Sequence, residues 1–245
     1  MLFPPLAFQA LPSDGVAFTA KVKGHEVAGR YLLALPEGYE TDKRKKWPIV
    51  LFLHGVGERG NDLNVVRAHG PFKELAKGRK FPFILVAPQC PPDRLWETDM
   101  LTGLLDSAER AYRVDRKRES VTGLSMGGYG TWALAMATPE RFAAIAPLCG
   151  GPRTEDAPPL RGATIGRVDI PPAEIGKIKG LPVYTVHGDA DTAVPVQGTR
   201  DLVAALRAAG DKKVSYTEVP GAGHDVWTAE YAKDAIYDWL LSHRR

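Results

Sequence analysis

A chain of 245 residues, 44% of them hydrophobic, is long enough for one large α/β domain or two small ones. Its 32 basic and 29 acidic residues leave a net charge of only +3 and form no long basic tract, which argues against a nucleic-acid partner. No apolar run approaches the ~20 residues of a membrane span. The two cysteines, Cys90 and Cys149, are too few for a disulfide framework, and both follow predicted strands, as buried free thiols do.

The opening Met1-Leu2-Phe3-Pro4-Pro5-Leu6 lacks a basic n-region and is broken by prolines. It does not read as a signal peptide, so a cytoplasmic location is the expectation. Residues 16–20 and 29–35 alternate in polarity and predict an antiparallel hairpin turning at Gly24-His25. After the charged run Arg44-Lys45-Lys46, the segment Trp47-Pro48-Ile49-Val50-Leu51-Phe52-Leu53 is continuously apolar, as a strand buried on both faces of a parallel sheet would be.

That strand runs into His54-Gly55-Val56-Gly57-Glu58-Arg59-Gly60. A glycine-rich loop at the carboxyl end of a central strand can turn a backbone amide, here that of Val56, towards a developing oxyanion. His54 reads as a structural histidine bonding the loop, and Glu58 and Arg59 as a loop brace. A helix is predicted over residues 63–77 and another buried strand over 83–88. Trp96, on the loop that follows, either walls an acyl or alcohol pocket or packs on the surface. Leu101, Leu104, Leu105 and Ala108 recur at helical spacing within a predicted helix over 99–112.

Arg118-Glu119-Ser120-Val121-Thr122 suits a strand, and the Ala-rich run 131–137 reads as a helix that stops near Pro139. Between them stands Gly123-Leu124-Ser125-Met126-Gly127, the Gly-x-Ser-x-Gly pattern of a nucleophile elbow. A serine on so sharp a strand-to-helix turn has a strained backbone. Glycines at 123 and 127 are expected to spare collisions with it. The turn would lift the Ser125 hydroxyl clear of the sheet and aim the Met126 amide at the oxyanion.

Residues 142–151 predict a further strand and turn. The stretch 152–180, rich in Pro, Gly and charge, is too short for a second domain and reads as a small lid or substrate loop. A strand over 181–186 closes with His187-Gly188-Asp189-Ala190-Asp191, and a helix over 196–209 ends at Gly210. A last strand over 213–219 precedes Pro220-Gly221-Ala222-Gly223-His224, and a final helix is predicted over 229–242, packing Tyr231, Ala235, Ile236, Trp239 and Leu240. The alternation from residue 48 onward predicts one α/β domain spanning 1–245, a mostly parallel, doubly wound sheet preceded by an antiparallel hairpin.

A serine hydroxyl needs a base, and the base needs an acid partner. Downstream of Ser125 the histidines are His187, His224 and His243. His243 lies among solvated charges at the end of the last helix, and His187 repeats the strand-end His-Gly setting of His54. His224, on a glycine-flanked loop after the last strand, is the candidate base. The acid is Asp189 or Asp191.

His187-Gly188-x-x-Asp191-x-x-Val194-Pro195 resembles the acid loop of α/β-hydrolases. With it, residues 53–60, Ala87-Pro88-Gln89-Cys90-Pro91-Pro92 and 122–132 resemble a group of bacterial esterases often labelled predicted peptidases, related to dienelactone hydrolases, feruloyl esterases and prolyl oligopeptidases. The resemblance covers about residues 45–240 and is carried by several motifs together. It implies the α/β-hydrolase fold, Asp191 as the acid, carboxylesterase activity on short-chain esters, and no metal or organic cofactor. A feruloyl or acetylxylan esterase, or a serine peptidase, would use the same triad, although no sequence feature shows a peptide groove. The non-enzyme alternative is a ligand-binding protein on an inactive hydrolase scaffold. The sequence leaves monomer and homo-oligomer equally open.

Overall fold

A computed structural model describes residues 15–163 and 165–245; the Met1–Leu6 stretch lies outside them. Eight strands form one sheet: β1 (Val16–Val22), β2 (His25–Ala34), β3 (Trp47–Leu53), β4 (Ile84–Pro88), β5 (Val114–Leu124), β6 (Ala144–Leu148), β7 (Val183–Gly188) and β8 (Val214–Val219). Their spatial order is β1-β2-β4-β3-β5-β6-β7-β8. β1 and β2 are antiparallel to each other, β2 is antiparallel to β4, and every pairing from β4 to β8 is parallel. The α/β-hydrolase architecture expected from the sequence, N-terminal hairpin included, is the one found. The hairpin turn falls one residue earlier than expected, at Lys23-Gly24. Both residues have positive φ (+49° and +88°), the conformation that lets a two-residue turn follow the twist of its strands.

The central strands show why a continuous apolar run marks them. Ile49, Leu51 and Leu53 of β3 enter one core cluster and Val50 and Phe52 the other, the period of two that a strand imposes on its faces. Helices α2 (Thr98–Ala111), α3 (Met126–Ala137) and α4 (Val196–Ala208) cover the first face. The second is covered by α1 (Gly70–Ala76), α5 (Trp227–Tyr231) and α6 (Ala235–Ser242).

Two expected helices are each broken in two. The segment 63–77 is a 3-10 turn, Leu63–Ala68, followed by α1. Gly70 takes φ +63°, and a Cβ there would lie 2.3 Å from the Phe52 ring. Pro71 after it has no amide to continue a helix. The last helix begins earlier than expected, at Trp227, and is interrupted at 232–234, where the Tyr237 hydroxyl donates to the Tyr231 carbonyl at 2.8 Å. The break turns Tyr237 into the core and leaves Ala235, expected inside, exposed. The stretch 152–180 contains three 3-10 turns, and a bridge joins Arg153 to Asp169. Leu160, Val168, Ile170, Ile175 and Ile178 from it are buried in the first core cluster, and its last turn, Pro172–Ile178, packs against α3 and α4. Among the described residues no helix is long and apolar enough to cross a membrane.

Candidate active site

Ser125 stands between β5 and α3 with φ 52° and ψ −119°, a conformation normally left to glycine. Neighbouring backbone holds it there: its amide donates to the Leu148 carbonyl at 3.0 Å and its carbonyl accepts from Tyr129 N at 3.1 Å. The motif glycines serve a different contact from the one expected. A Cβ on Gly123 would lie 2.4 Å from the Gly127 carbonyl oxygen, and one on Gly127 would lie 2.0 Å from the Leu53 carbonyl oxygen. A Cβ on Gly128 would come within 2.5 Å of the Leu148 oxygen. The obstacles are the ends of β3 and β6 and the elbow itself, so bare backbone is what lets α3 start between two strands.

From this position the Ser125 hydroxyl meets His224 Nε2 at 2.8 Å, and His224 Nδ1 meets Asp191 Oδ2 at 2.6 Å. The carboxylate can only accept, so Nδ1 carries the proton and Nε2 is left to accept from the serine. Asp191 is fully engaged. Its Oδ1 accepts from the amides of Ala193 (2.9 Å) and Val194 (2.8 Å), and His187 Nε2 approaches Oδ2 at 3.1 Å. Burial pushes the Asp191 carboxyl up, but hydrogen bonds from His187, His224 and the Val194 amide outweigh it and hold the group well below the usual carboxylate range. Asp189, the other candidate acid, lies outside this relay; it accepts from the Gly221 amide at 2.6 Å and ties the β7 loop to the β8 loop. His243 packs its ring on Trp239 at the far end of α6.

Met126 is the first residue of α3 and Val56 the first of a 3-10 turn, Val56–Glu58. The first amides of a helix have no partner within it. The Val56 loop lies against the elbow, since a Cβ on Gly55 would be 3.8 Å from Ser125 Cβ. Glu58 fixes that loop by accepting the Gly55 amide at 3.1 Å.

His54 braces the same loop. Its Nε2 accepts from Cys90 N at 3.0 Å, so the proton sits on Nδ1, which donates to the Gly55 carbonyl. Burial pushes its pKa down to about 4, which keeps the ring neutral. Trp96 is not brought to the Ser125 relay. It is 2% exposed, donates from Nε1 to the His54 carbonyl at 3.1 Å, and packs edge-on against the His54 ring. It borders a cleft of about 510 Å³ between β2, the start of α2 and residues 166–167, whose lining includes none of Ser125, Asp191 and His224.

Three further side chains stand at the site: His187, which the sequence weighed as a base and set aside, and Trp227 and His69, which it missed. His187 touches Asp191 from inside the core. Trp227 stands edge-on to the His224 ring at 5.0 Å and donates to His69 Nδ1 at 3.4 Å, with His69 Nε2 in turn 3.6 Å from Glu58. The Trp227 signal was its place three residues after His224. For His69 no signal exists, because only folding brings it near. Among the described residues no group of three His, Cys, Asp or Glu side chains could hold a metal ion.

The family model described as "Putative esterase" matches residues 29–234. A probable feruloyl esterase C from Aspergillus terreus is 27% identical over 174 residues, covering 69% of this chain and 57% of that protein. A poly(3-hydroxyoctanoate) depolymerase from Pseudomonas fluorescens is 26% identical over 221 residues, covering 80% and 74%. Among solved structures, a thermostable esterase is 31% identical with a TM-score of 0.69, covering 95% of this chain and 64% of that one. A ferulic acid esterase from Anaeromyces mucronatus, solved with ferulic acid, shares the fold at 20% identity and a TM-score of 0.60, covering 93% and 89%. The chain thus spans less than two thirds of the Aspergillus relative and of the thermostable esterase. The match over most of its length, on an eight-stranded α/β-hydrolase sheet, makes this chain a member of that esterase family.

Proposed function

We propose that this protein is a serine carboxylesterase that hydrolyses short-chain esters through an acyl-enzyme. The observation that carries the reading is the unbroken relay Ser125 Oγ–His224 Nε2 at 2.8 Å and His224 Nδ1–Asp191 Oδ2 at 2.6 Å, mounted on a strained elbow. His224 takes the hydroxyl proton as Ser125 attacks the ester carbonyl, and Asp191 stabilises the imidazolium that results. The amides of Met126 and Val56 receive the oxyanion, each worth roughly 10²–10³ in turnover. His224 then returns the proton to the leaving alcohol, and water, deprotonated by His224, releases the acid.

Acyl-chain preference rests on the resemblance, which points to short chains. A second reading, hydrolysis of hydroxycinnamoyl esters, is favoured by the relatives named as feruloyl esterases. One experiment separates them: p-nitrophenyl esters from acetate to octanoate beside methyl ferulate and p-nitroanilides, with Ser125→Ala as control. Turnover of acetate and butyrate that vanishes in the variant supports the first reading, and a clear preference for methyl ferulate supports the second. Failure of Ser125 to react with a fluorophosphonate probe, with no turnover of any substrate, would leave only the inactive-scaffold alternative.

A further inference from the structure

We infer that His187 is a positioning residue that carries a proton on both ring nitrogens in the resting protein, and that its positive charge sets the pH range over which His224 works as a base. The inference rests on the reading of Ser125, His224 and Asp191 given above. It follows from counting protons around a wholly buried ring.

His187 Nε2 faces two oxygens, Val194 O at 3.0 Å and Asp191 Oδ2 at 3.1 Å. A carbonyl and an ionised carboxylate have no proton to give, so Nε2 must donate. On the other side, Nδ1 lies 2.8 Å from Thr199 Oγ1. The Thr199 hydroxyl has one proton, and its oxygen stands 2.7 Å from the Gly150 carbonyl oxygen. Two oxygens that close need a proton between them, and the carbonyl has none. The Thr199 proton therefore points at Gly150, and Nδ1 must donate to Thr199. A neutral His187 in either tautomer would leave at least one of these buried contacts as acceptor against acceptor.

The surrounding charges suit a cation here. Asp191 is in direct contact, and on β8 Glu218 pairs in register with His187 while Arg200 of α4 and the Tyr216 hydroxyl hold it at 2.8 and 2.7 Å. Thr199 of α4 is neutral. From the β6 side, Cys149 stays a thiol because burial raises its pKa. His224 lies beyond Asp191.

Asp191 Oδ2 thus receives two ring N–H groups, from His224 at 2.6 Å and from His187 at 3.1 Å. When His224 takes the serine proton, a second imidazolium forms against the same carboxylate oxygen. The fixed charge opposes that step. His224 accordingly remains unprotonated to lower pH, and once it holds the serine proton it passes that proton to the leaving alcohol more readily.

The test is ¹⁵N–¹H spectroscopy of the histidine rings in the intact protein, with His187 assigned by the resonance lost in His187→Gln. One-bond N–H couplings at both His187 nitrogens at pH 7 are expected, and a bare nitrogen there would overturn the proposal. In His187→Gln a neutral amide replaces the charged donor to Asp191. The acid limb of the kcat/KM profile should then move to higher pH by about one unit; an unmoved limb would refute the electrostatic role. Should no ester be turned over, the titration of the His224 ring in the same spectra, wild type against variant, replaces the limb. If the variant does not fold, the assignment comes from a triple-resonance experiment and the wild-type couplings decide. Loss of the esterase reading therefore leaves the His187 result standing or falling by itself.

Discussion

Gly127→Ala adds one carbon at the point where α3 enters the sheet. Its Cβ would stand 2.0 Å from the Leu53 oxygen, 2.6 Å from the Leu53 carbonyl carbon and 2.8 Å from the His54 oxygen. Ordinary contact begins near ~3.5 Å, so about 1.5 Å of movement must be found, and every obstacle is backbone. β3 is held by β4 on one side and β5 on the other, which leaves the helix start and the His54–Val56 loop to yield. Overpacking of this kind costs about 3 kcal/mol, which for a domain of this size lowers Tm by about 6–10 °C. The displaced atoms include the Met126 amide and the Val56 loop, and a shift near 1 Å in such groups costs roughly 10²-fold in kcat/KM. The controls are Gly57→Ala and Gly223→Ala, also beside proposed catalytic residues, where an added Cβ meets nothing within 4 Å. Circular-dichroism melts and p-nitrophenyl butyrate kinetics on the three variants make the comparison. Wild-type kcat/KM in Gly127→Ala, with a Tm within about 2 °C of the parent, would refute the steric account.

Asp191→Asn should lower kcat by about 10³–10⁴, because an amide no longer fixes the His224 proton on Nδ1; steady-state kinetics measure it. The depressed Asp191 carboxyl also contributes stability that is present above the ordinary carboxylate range and lost as pH falls below about 4, so urea midpoints at pH 6 and pH 3 should differ more for wild type than for Asp191→Asn. Thr122→Val removes the hydroxyl that donates to Ala146 O at 2.7 Å and meets the Tyr231 hydroxyl at 2.8 Å, both buried, and should cost about 1–3 kcal/mol in urea unfolding. Burial pushes the Cys90 thiol up to about 12 and holds the Cys149 thiol well above its usual range, so Ellman's reagent at pH 8 should find no thiol in the native protein and both after denaturation.

What could be read from the sequence were features written locally. β3 is a run of seven apolar residues, α2 carries its leucines at helical spacing, and Ser125 and His224 are marked by the glycines around them. The features that escaped depend on partners distant in the chain. Within Leu63 to Lys77 the Gly70-Pro71 pair is a local break signal, but the Phe52 ring that holds Gly70 to bare backbone comes from a distant strand. Trp96 on a loop gave no sign that a carbonyl 42 residues earlier would take its N–H. His187 and His54 share a strand-end His-Gly setting, yet one lies beside a carboxylate and the other beside Cys90 N, a difference set by the loops packed around them. The choice between Asp189 and Asp191 likewise turned on a family likeness rather than on either residue's neighbours in sequence.

The relay joins three separate strand ends. Ser125 and His224 are 99 residues apart, and His224 and Asp191 are 33 apart. None of these contacts exists until β5, β7 and β8 are in register, and parallel strands need long crossovers before they pair. Chains dominated by such distant contacts fold slowly. Recovery of esterase turnover should therefore lag behind the return of helical signal on dilution from denaturant, and the gain of catalytic power then reports completion of the sheet rather than collapse of the chain.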